Sequence, residues 1–415
     1  MRITKQQKGS GQIVKSSGGV ELGQKLEMEN LISSMTLVLQ QPDMDIEELD
    51  TSRWGELPDE LVDRVLACLP VPLLLQLRCV CKRWNSLITS APFLKLQAAA
   101  PYSGPHFLVF ELQKPNSWGA YDARLQKWYT VPLDPLEGEI VMSMASDGGL
   151  LCKVVRRNWM QGPTCIVLSN PVTKCRRKLP NTKFHLTPTW IPSLVVLVVD
   201  QATNSYKVVV AGSKGCPHGV NCLCRVTEVY DSISDRWETT GNLPLGYVLL
   251  DPPSYAVCGG HIFCIASRFE EEFILVAYDL ERKVWNEIRY LPMLNLPKSQ
   301  VVLFERRGSL VLVQLAGVPK IYTWKPGCHG EWTEVNALLP RNRMFEDLFR
   351  SDPDLACGGK EDLIFFVSHK CRRAWLYDIS HRTWTITSES KFLKVDHKPP
   401  LLGVPFDFNL QLLSH

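Results

Sequence analysis

The octapeptide Tyr278-Asp279-Leu280-Glu281-Arg282-Lys283-Val284-Trp285 decides the fold, because its frame is written three more times in the chain. Tyr121-Asp122, Tyr230-Asp231 and Tyr377-Asp378 are each followed, six residues after the aspartate, by a tryptophan: Trp128, Trp237 and Trp384. An aspartate in such a place accepts backbone N–H bonds within a tight turn. The flanking Tyr and Trp then stand on the two strands that the turn joins. Gly259-Gly260 and Gly358-Gly359 each lie with the second glycine 25 residues ahead of the repeat Trp, and a Gly-Gly pair suits a two-residue hairpin turn. The repeated unit reads as a four-stranded antiparallel sheet. Its large rings exceed what one sheet can bury, so each sheet must pack on the next, and radial closure is the usual solution.

Two further units are degenerate. Ser169-Asn170-Pro171 follows Gly148-Gly149 in the Tyr-Asp place, with Arg176 where Trp would stand, and Tyr322 leads to Trp332 through a longer turn after the single Gly308. Counting both gives six units, with marks at 128, 176, 237, 285, 332 and 384. This half of the chain resembles the kelch-repeat β-propellers, whose period is about 50 residues. The first unit lacks a first strand of its own. Val404, Phe406, Phe408, Leu410 and Leu412 alternate with Pro405, Asp407, Asn409 and Gln411, a period-2 strand expected to pair back into the first blade and close the ring.

Ahead of the repeats, residues 54–96 read WGELPDELVDRVLACLPVPLLLQLRCVCKRWNSLITSAPFLKL. Pro58 suits a helix start, with Asp59, Glu60 and Asp63 toward the positive end of the dipole. Leu73, Leu77, Val80, Cys81, Trp84, Leu87 and Ile88 fall on a single helix stripe. A helical unit of this size holds more apolar side chains than its own interior can use. The order Leu57-Pro58, Glu60-Leu61, Leu66, Leu69-Pro70, Leu77-Arg78, Val80 to Trp84 and Leu87-Ile88 resembles the F-box. With the repeats behind it, the whole chain is similar to the plant F-box/kelch-repeat proteins.

That resemblance implies a non-catalytic substrate receptor of a Skp-cullin-F-box ubiquitin ligase. Its F-box would dock on the Skp adaptor, and through it on cullin, with Leu57, Pro58, Leu61, Leu66, Val80, Cys81 and Trp84 as the docking residues carried over by motif position. The propeller would hold a target protein. In a four-stranded blade the second-to-third loops share one face with the connections between blades. The closing strand and the chain's passage from the F-box meet at a turn of the other face, so the F-box is expected on that side and the target on the loop face. Phe184, Trp190, Met293, Arg343, Phe345 and Phe349, in the longest loop-face segments, are the candidate target anchors. A scaffold that degrades nothing and a propeller enzyme are the rival readings.

Composition bounds these readings. The chain has 415 residues, of which 45% are hydrophobic and 21% charged, and 46 basic residues nearly balance 43 acidic ones. No global field draws it to nucleic acid or membrane. The expected organisation is mainly β: a disordered tail over 1–50, the all-α F-box over 51–97, and the propeller over 103–415. Fourteen cysteines without framework spacing read as reduced thiols, and the absence of a signal-peptide layout, an N-glycosylation sequon or a long apolar run fits cytoplasm or nucleus. No nucleophile elbow, phosphate-binding loop, dinucleotide fingerprint or zinc-protease motif occurs, so neither catalytic residues nor a cofactor are expected. Cys216, His218, Cys222 and Cys224 are a weak metal candidate: their cramped spacing lacks the C-x₂-C knuckle, and a loop with incidental thiols is the better reading. Short basic runs, Arg156-Arg157, Lys174 with Arg176, Arg177 and Lys178, and Arg372-Arg373, read as solvated turns.

Overall fold

The computed structural model describes residues 58–98 and 105–406, apart from connecting stretches of which the longest are 132–139, 157–163, 184–191, 213–224, 292–300, 336–351 and 394–400. The 1–50 tail therefore lies outside the described residues. The chain divides between Tyr102 and Ser103 into two compact units.

The first unit holds four short helices: α1 (Asp59–Ala67), α2 (Val71–Leu77), α3 (Lys82–Ile88) and α4 (Ala91–Ala98). Pro58 stands one place before α1, with its carbonyl accepting from the N–H of Leu61 and of Val62, and Pro70 does the same for Leu73 and Leu74 of α2. The single apolar stripe expected from Leu73 to Ile88 is in fact broken between α2 and α3. At Cys81 the backbone is extended, and the Cys81 Sγ accepts the N–H of Trp84, 3.4 Å away, as the cap of α3. With the break, α2 and α3 are separate helices rather than one straight ridge, and Leu74, Leu77, Trp84, Ile88 and Phe93, from three helices, are all buried.

The second unit is a ring of six antiparallel sheets. In chain order the strands are β1 (His106–Glu111), β2 (Lys114–Asp122) and β3 (Lys127–Val131); β4 (Ile140–Asp147), β5 (Leu150–Arg156), β6 (Thr164–Ser169) and β7 (Arg176–Lys178); and β8 (Leu194–Asp200), β9 (Ser205–Ala211), β10 (Thr227–Asp231) and β11 (Arg236–Thr239). There follow β12 (Tyr247–Leu249), β13 (Tyr255–Cys258), β14 (His261–Arg268), β15 (Glu272–Asp279) and β16 (Val284–Tyr290); β17 (Val301–Arg306), β18 (Ser309–Gln314), β19 (Lys320–Trp324) and β20 (Thr333–Val335); β21 (Ala356–Lys360), β22 (Leu363–Val367), β23 (Ala374–Asp378) and β24 (Thr383–Ile386); and β25 (Leu401–Phe406). Blades two to six run in sequence order, the fourth with its first strand in two pieces, β12 and β13, both paired to β14. The fold is a six-bladed β-propeller.

Blade one is completed by β25, in the order β25-β1-β2-β3. Its register sets Val404 opposite Leu108 and Phe406 opposite His106. The closing strand thus starts earlier than the alternation suggests, at Leu401; Phe408, Leu410 and Leu412 lie outside the described residues. Phe406 is buried with Leu108, Trp118, Ala120 and Leu151.

The repeat motif does in space what its spacing implies. Tyr121, Tyr230, Tyr278 and Tyr377 each stand directly across from their tryptophan, with ring centroids between 4.8 and 5.4 Å apart. The Asp279 carboxylate accepts the N–H of Glu281 and of Arg282 at 2.9 and 2.8 Å, and Asp122 and Asp231 accept in the same way. In the second blade Asn170 replaces the aspartate and accepts the N–H of Thr173. Three of the tryptophans reach back to the preceding blade: the Trp237 indole donates to Pro180 O, Trp285 to Thr227 Oγ1, and Trp128 to Ser388 O. Between blades the apolar faces interleave, as where Val196 and Val209 of blade three pack with Ile262 and Val276 of blade four.

Two sequence expectations shift along the chain. Gly259-Gly260 does form the first hairpin turn of its blade, both at positive φ. Gly358-Gly359, by contrast, lies inside β21, opposite Phe365 and Ile364, and the turn is Glu361-Asp362 with Glu361 at φ 53°. Gly359 is needed elsewhere: a Cβ there would come within 2.2 Å of the Phe304 ring of the neighbouring blade. In blade five the register sets Thr323 opposite Thr333, which brings Trp324 rather than Tyr322 beside Trp332, ring centroids 5.8 Å apart.

Candidate functional site

Two surfaces are candidates, one on each unit. On the helical unit, Pro58 is exposed, Leu61 is 44% exposed, and Val80 and Cys81 are half-buried. Leu61 projects from the first turn of α1, while Val80 and Cys81 sit in the break between α2 and α3. Leu66 and Trp84 are placed otherwise: both are buried within the unit's own core. Leu57 lies outside the described residues. Arg83 of α3 pairs with Asp59 of α1 at 2.5 Å, an exposed bridge that adds little stability but ties the two helix starts. Burial and, next, the charge of Asp59 push the Asp63 carboxyl above its ordinary range.

On the propeller, the strand alternation sorts the connections into two faces. The first-to-second and third-to-fourth turns share one face. The second-to-third loops and the connections between blades share the other. Phe184, Trp190, Met293, Arg343, Phe345 and Phe349 belong by chain position to this loop face, and all six lie outside the described residues. So do Cys216, His218, Cys222 and Cys224. Among the described residues there is no group of three or more His, Cys, Asp or Glu placed to hold a metal ion.

The loop face has two described apolar residues that the sequence reading did not single out. Leu245 is 67% exposed and Val248 is 56% exposed, in the connection from blade three to blade four and the start of that blade. The signal was the alternation around Val248, since Tyr247 and Leu249 on either side are buried against blade three. Val248, on the opposite side of the strand from Tyr247 and Leu249, is left in solvent.

With these surfaces described, the likeness to known proteins has a structural setting. The F-box domain family matches residues 54–96. F-box only protein 6 of Arabidopsis thaliana is 33% identical over 202 residues, which cover 47% of this chain and 39% of that protein, so the chain spans less than two thirds of it. Protein ABERRANT PANICLE ORGANIZATION 1 of Oryza sativa subsp. indica is 27% identical over 327 residues, 71% of this chain and 72% of its own. An F-box/kelch-repeat protein of Arabidopsis thaliana is 29% identical over 350 residues, 79% of this chain and 82% of its own. The chain carries an F-box domain over residues 54–96 followed by a six-bladed β-propeller, and it is similar in sequence to F-box/kelch-repeat proteins of plants.

Proposed function

We propose that this protein is the substrate-recognition subunit of a Skp-cullin-F-box ubiquitin ligase. The observation that carries the reading is the F-box match over residues 54–96 on a helical unit that keeps Leu61 in solvent. Pro58, Leu61, Val80 and Cys81, with Leu57, form the apolar contact for a Skp-family adaptor, and Leu66 and Trp84 set the helix angles behind them. Leu61 stays exposed while Leu66 of the same helix is buried, and a partner helix would cover it.

The propeller's loop face takes the target protein, with Phe184, Trp190, Met293, Arg343, Phe345 and Phe349 as anchors and with Leu245 and Val248 exposed on the same face. The chain contributes recognition, and the chemistry of ubiquitin transfer belongs to the enzymes that cullin brings. The protein would act where that machinery works, in cytoplasm or nucleus.

The test is a comparison of captured proteins. A Leu61→Asp variant, in cells, should hold its targets longer than wild type and raise their half-lives. Targets captured equally by both, with half-lives unchanged, would favour a scaffold that degrades nothing.

A further inference from the structure

Among the described residues two cysteines are exposed, Cys68 and Cys79, and both belong to the helical unit, whereas Cys152, Cys258 and Cys264 of the propeller are buried. One residue separates Cys79 from Cys81, so a Cys-Val-Cys triplet fills the break between α2 and α3. The N–H of Cys79 donates to Gln76 O and that of Val80 to Leu77 O, which closes the end of α2. At Cys81 the chain is extended, with φ −154° and ψ 162°, and the half-buried Sγ accepts the N–H of Trp84. One thiol is open to solvent, and its neighbour is committed to the start of α3.

Two thiols this close in sequence can be joined. Two residues of chain carry a Cα at most about 7 Å, which overlaps the span of about 4.4–6.8 Å that a disulfide bridges. A bridge over so short a loop is strained, and strained bridges are the readily reduced ones. Val80 and Cys81 are also two of the residues assigned to the adaptor contact, and Trp84, which Cys81 caps, is buried in the unit's core. A chemical change at Cys81 Sγ therefore acts on the cap and the contact together.

We propose that Cys79 and Cys81 form a peroxide-sensitive dithiol within the adaptor contact, and that its oxidation to a disulfide releases the Skp adaptor. The proposal rests on the reading of these helices as the docking surface. Cys79, the exposed thiol, attacks hydrogen peroxide as its thiolate: an S–O bond forms, the O–O bond breaks, and hydroxide leaves to be protonated as water. The Cys81 sulfur then attacks the sulfenic sulfur, so that the S–S bond forms and a second water leaves. Two electrons pass from the two sulfurs to the peroxide, and both thiol protons end in the waters. The bridge draws Cys81 Sγ off the Trp84 N–H, which uncaps α3 and displaces Val80. A dithiol reductant reverses the step by exchange.

Purified full-length protein and purified Skp adaptor test this. Reduced wild type should capture the adaptor; after millimolar hydrogen peroxide, capture should fall at least about tenfold, and dithiothreitol should restore it. Trypsin, cutting after Arg78 and Lys82, releases Cys79-Val80-Cys81-Lys82, and this peptide should lose the mass of two hydrogens in the oxidised sample. Cys79→Ser should capture the adaptor as reduced wild type does and keep it through peroxide. Cys81→Ser, whose hydroxyl can still cap α3, should be equally insensitive to peroxide, while Cys68→Ser should respond as wild type does. Adaptor bound beforehand should protect the pair from the change in mass. The proposal is overturned if the oxidised peptide keeps both hydrogens or gains oxygen instead, if bound adaptor gives no protection, or if Cys79→Ser loses the adaptor to peroxide as wild type does. Reduced wild type that holds no adaptor would overturn the docking reading and this proposal together. Capture made by the reduced protein and kept by the bridged one would overturn this proposal alone.

Discussion

The indole N–H of Trp128 donates to the carbonyl oxygen of Ser388, 3.2 Å away across 260 residues of sequence. The same link runs from Trp237 to Pro180 and from Trp285 to Thr227, so one bond that joins neighbouring blades elsewhere also joins the last blade to the first. Trp128→Phe keeps a ring and removes the donor, at a cost of about 1 kcal/mol. In a unit of this size that is a fall of roughly 2–4 °C in melting temperature. A larger fall is expected from ending the chain before Leu401, which strips β25 from β1 and uncovers the cluster that Phe406 fills. Unchanged melting of the truncated protein would contradict closure by that strand.

Gly359→Ala should destabilise by roughly 1–3 kcal/mol. The added methyl meets the Phe304 ring, itself buried against Leu355 and Ile364, so the ring has nowhere to retreat. Phe304→Leu in the same chain should restore part of the loss, and chemical denaturation of the single and double variants measures both.

At four equivalent turns, two residues before the repeat Trp, the backbone takes a left-handed φ of 52–60° on a non-glycine residue: Gln126, Asp235, Lys283 and Arg382. That conformation costs a side-chain-bearing residue on the order of 1 kcal/mol. Gln126→Gly relieves it and adds backbone entropy to the unfolded chain, so a gain of a few tenths of a kcal/mol is expected. Gln126→Val, whose branched Cβ tolerates positive φ poorly, should instead lower the melting temperature.

Acid should loosen the turn face. The N–H of Arg282, against a smaller effect of desolvation, and that of Glu281 hold the Asp279 carboxyl below its ordinary range. Burial pushes Asp122 and Asp378 up, but His106 with the Leu125 N–H, and the N–H and ring of His381, bring both below it. A carboxyl depressed in the folded state stabilises fully above its unfolded pKa of about 3.9, and that stability is lost as pH falls through the lower folded value. The melting temperature should therefore drop from about pH 4 downward. Asp279→Asn keeps an acceptor, as Asn170 does naturally, but loses the charge. It should be less stable than wild type at pH 7 and approach it near pH 2; a constant gap across that range would contradict the linkage.

How far the sequence disclosed this molecule depends on what kind of physics wrote each feature. The Tyr-Asp to Trp spacing was legible because an aspartate-capped turn has a fixed length, so the strands on either side must be where they are. Gly358-Gly359 misled, because glycine serves two needs, a left-handed turn and a close approach, and only the neighbouring Phe304 tells which applies. Trp324 took the place expected for Tyr322 because the register, set by Thr323 opposite Thr333, decides which ring meets Trp332. The break at Cys81 was hidden in a stripe that continues across it. Leu66 and Trp84, grouped with the docking residues by motif order, proved buried, since a motif records which positions matter and not whether they face inward or outward. Arg156, read with Arg157 as a basic run in a solvated turn, is instead buried at the end of β5, because the run's charge told nothing of which side of the strand it stood on.

Capture of the Skp adaptor by the purified full-length protein tests the central claim most directly, with wild type beside Leu61→Asp and Pro58→Ala. Wild type should hold the adaptor in a stable complex. Leu61→Asp should lose it, because the charge falls on the apolar contact, and Pro58→Ala should weaken it, while both variants keep the wild-type melting curve of the propeller. If wild type fails to hold the adaptor, or if Leu61→Asp holds it as tightly as wild type, these helices do not dock as described and the receptor assignment falls with them.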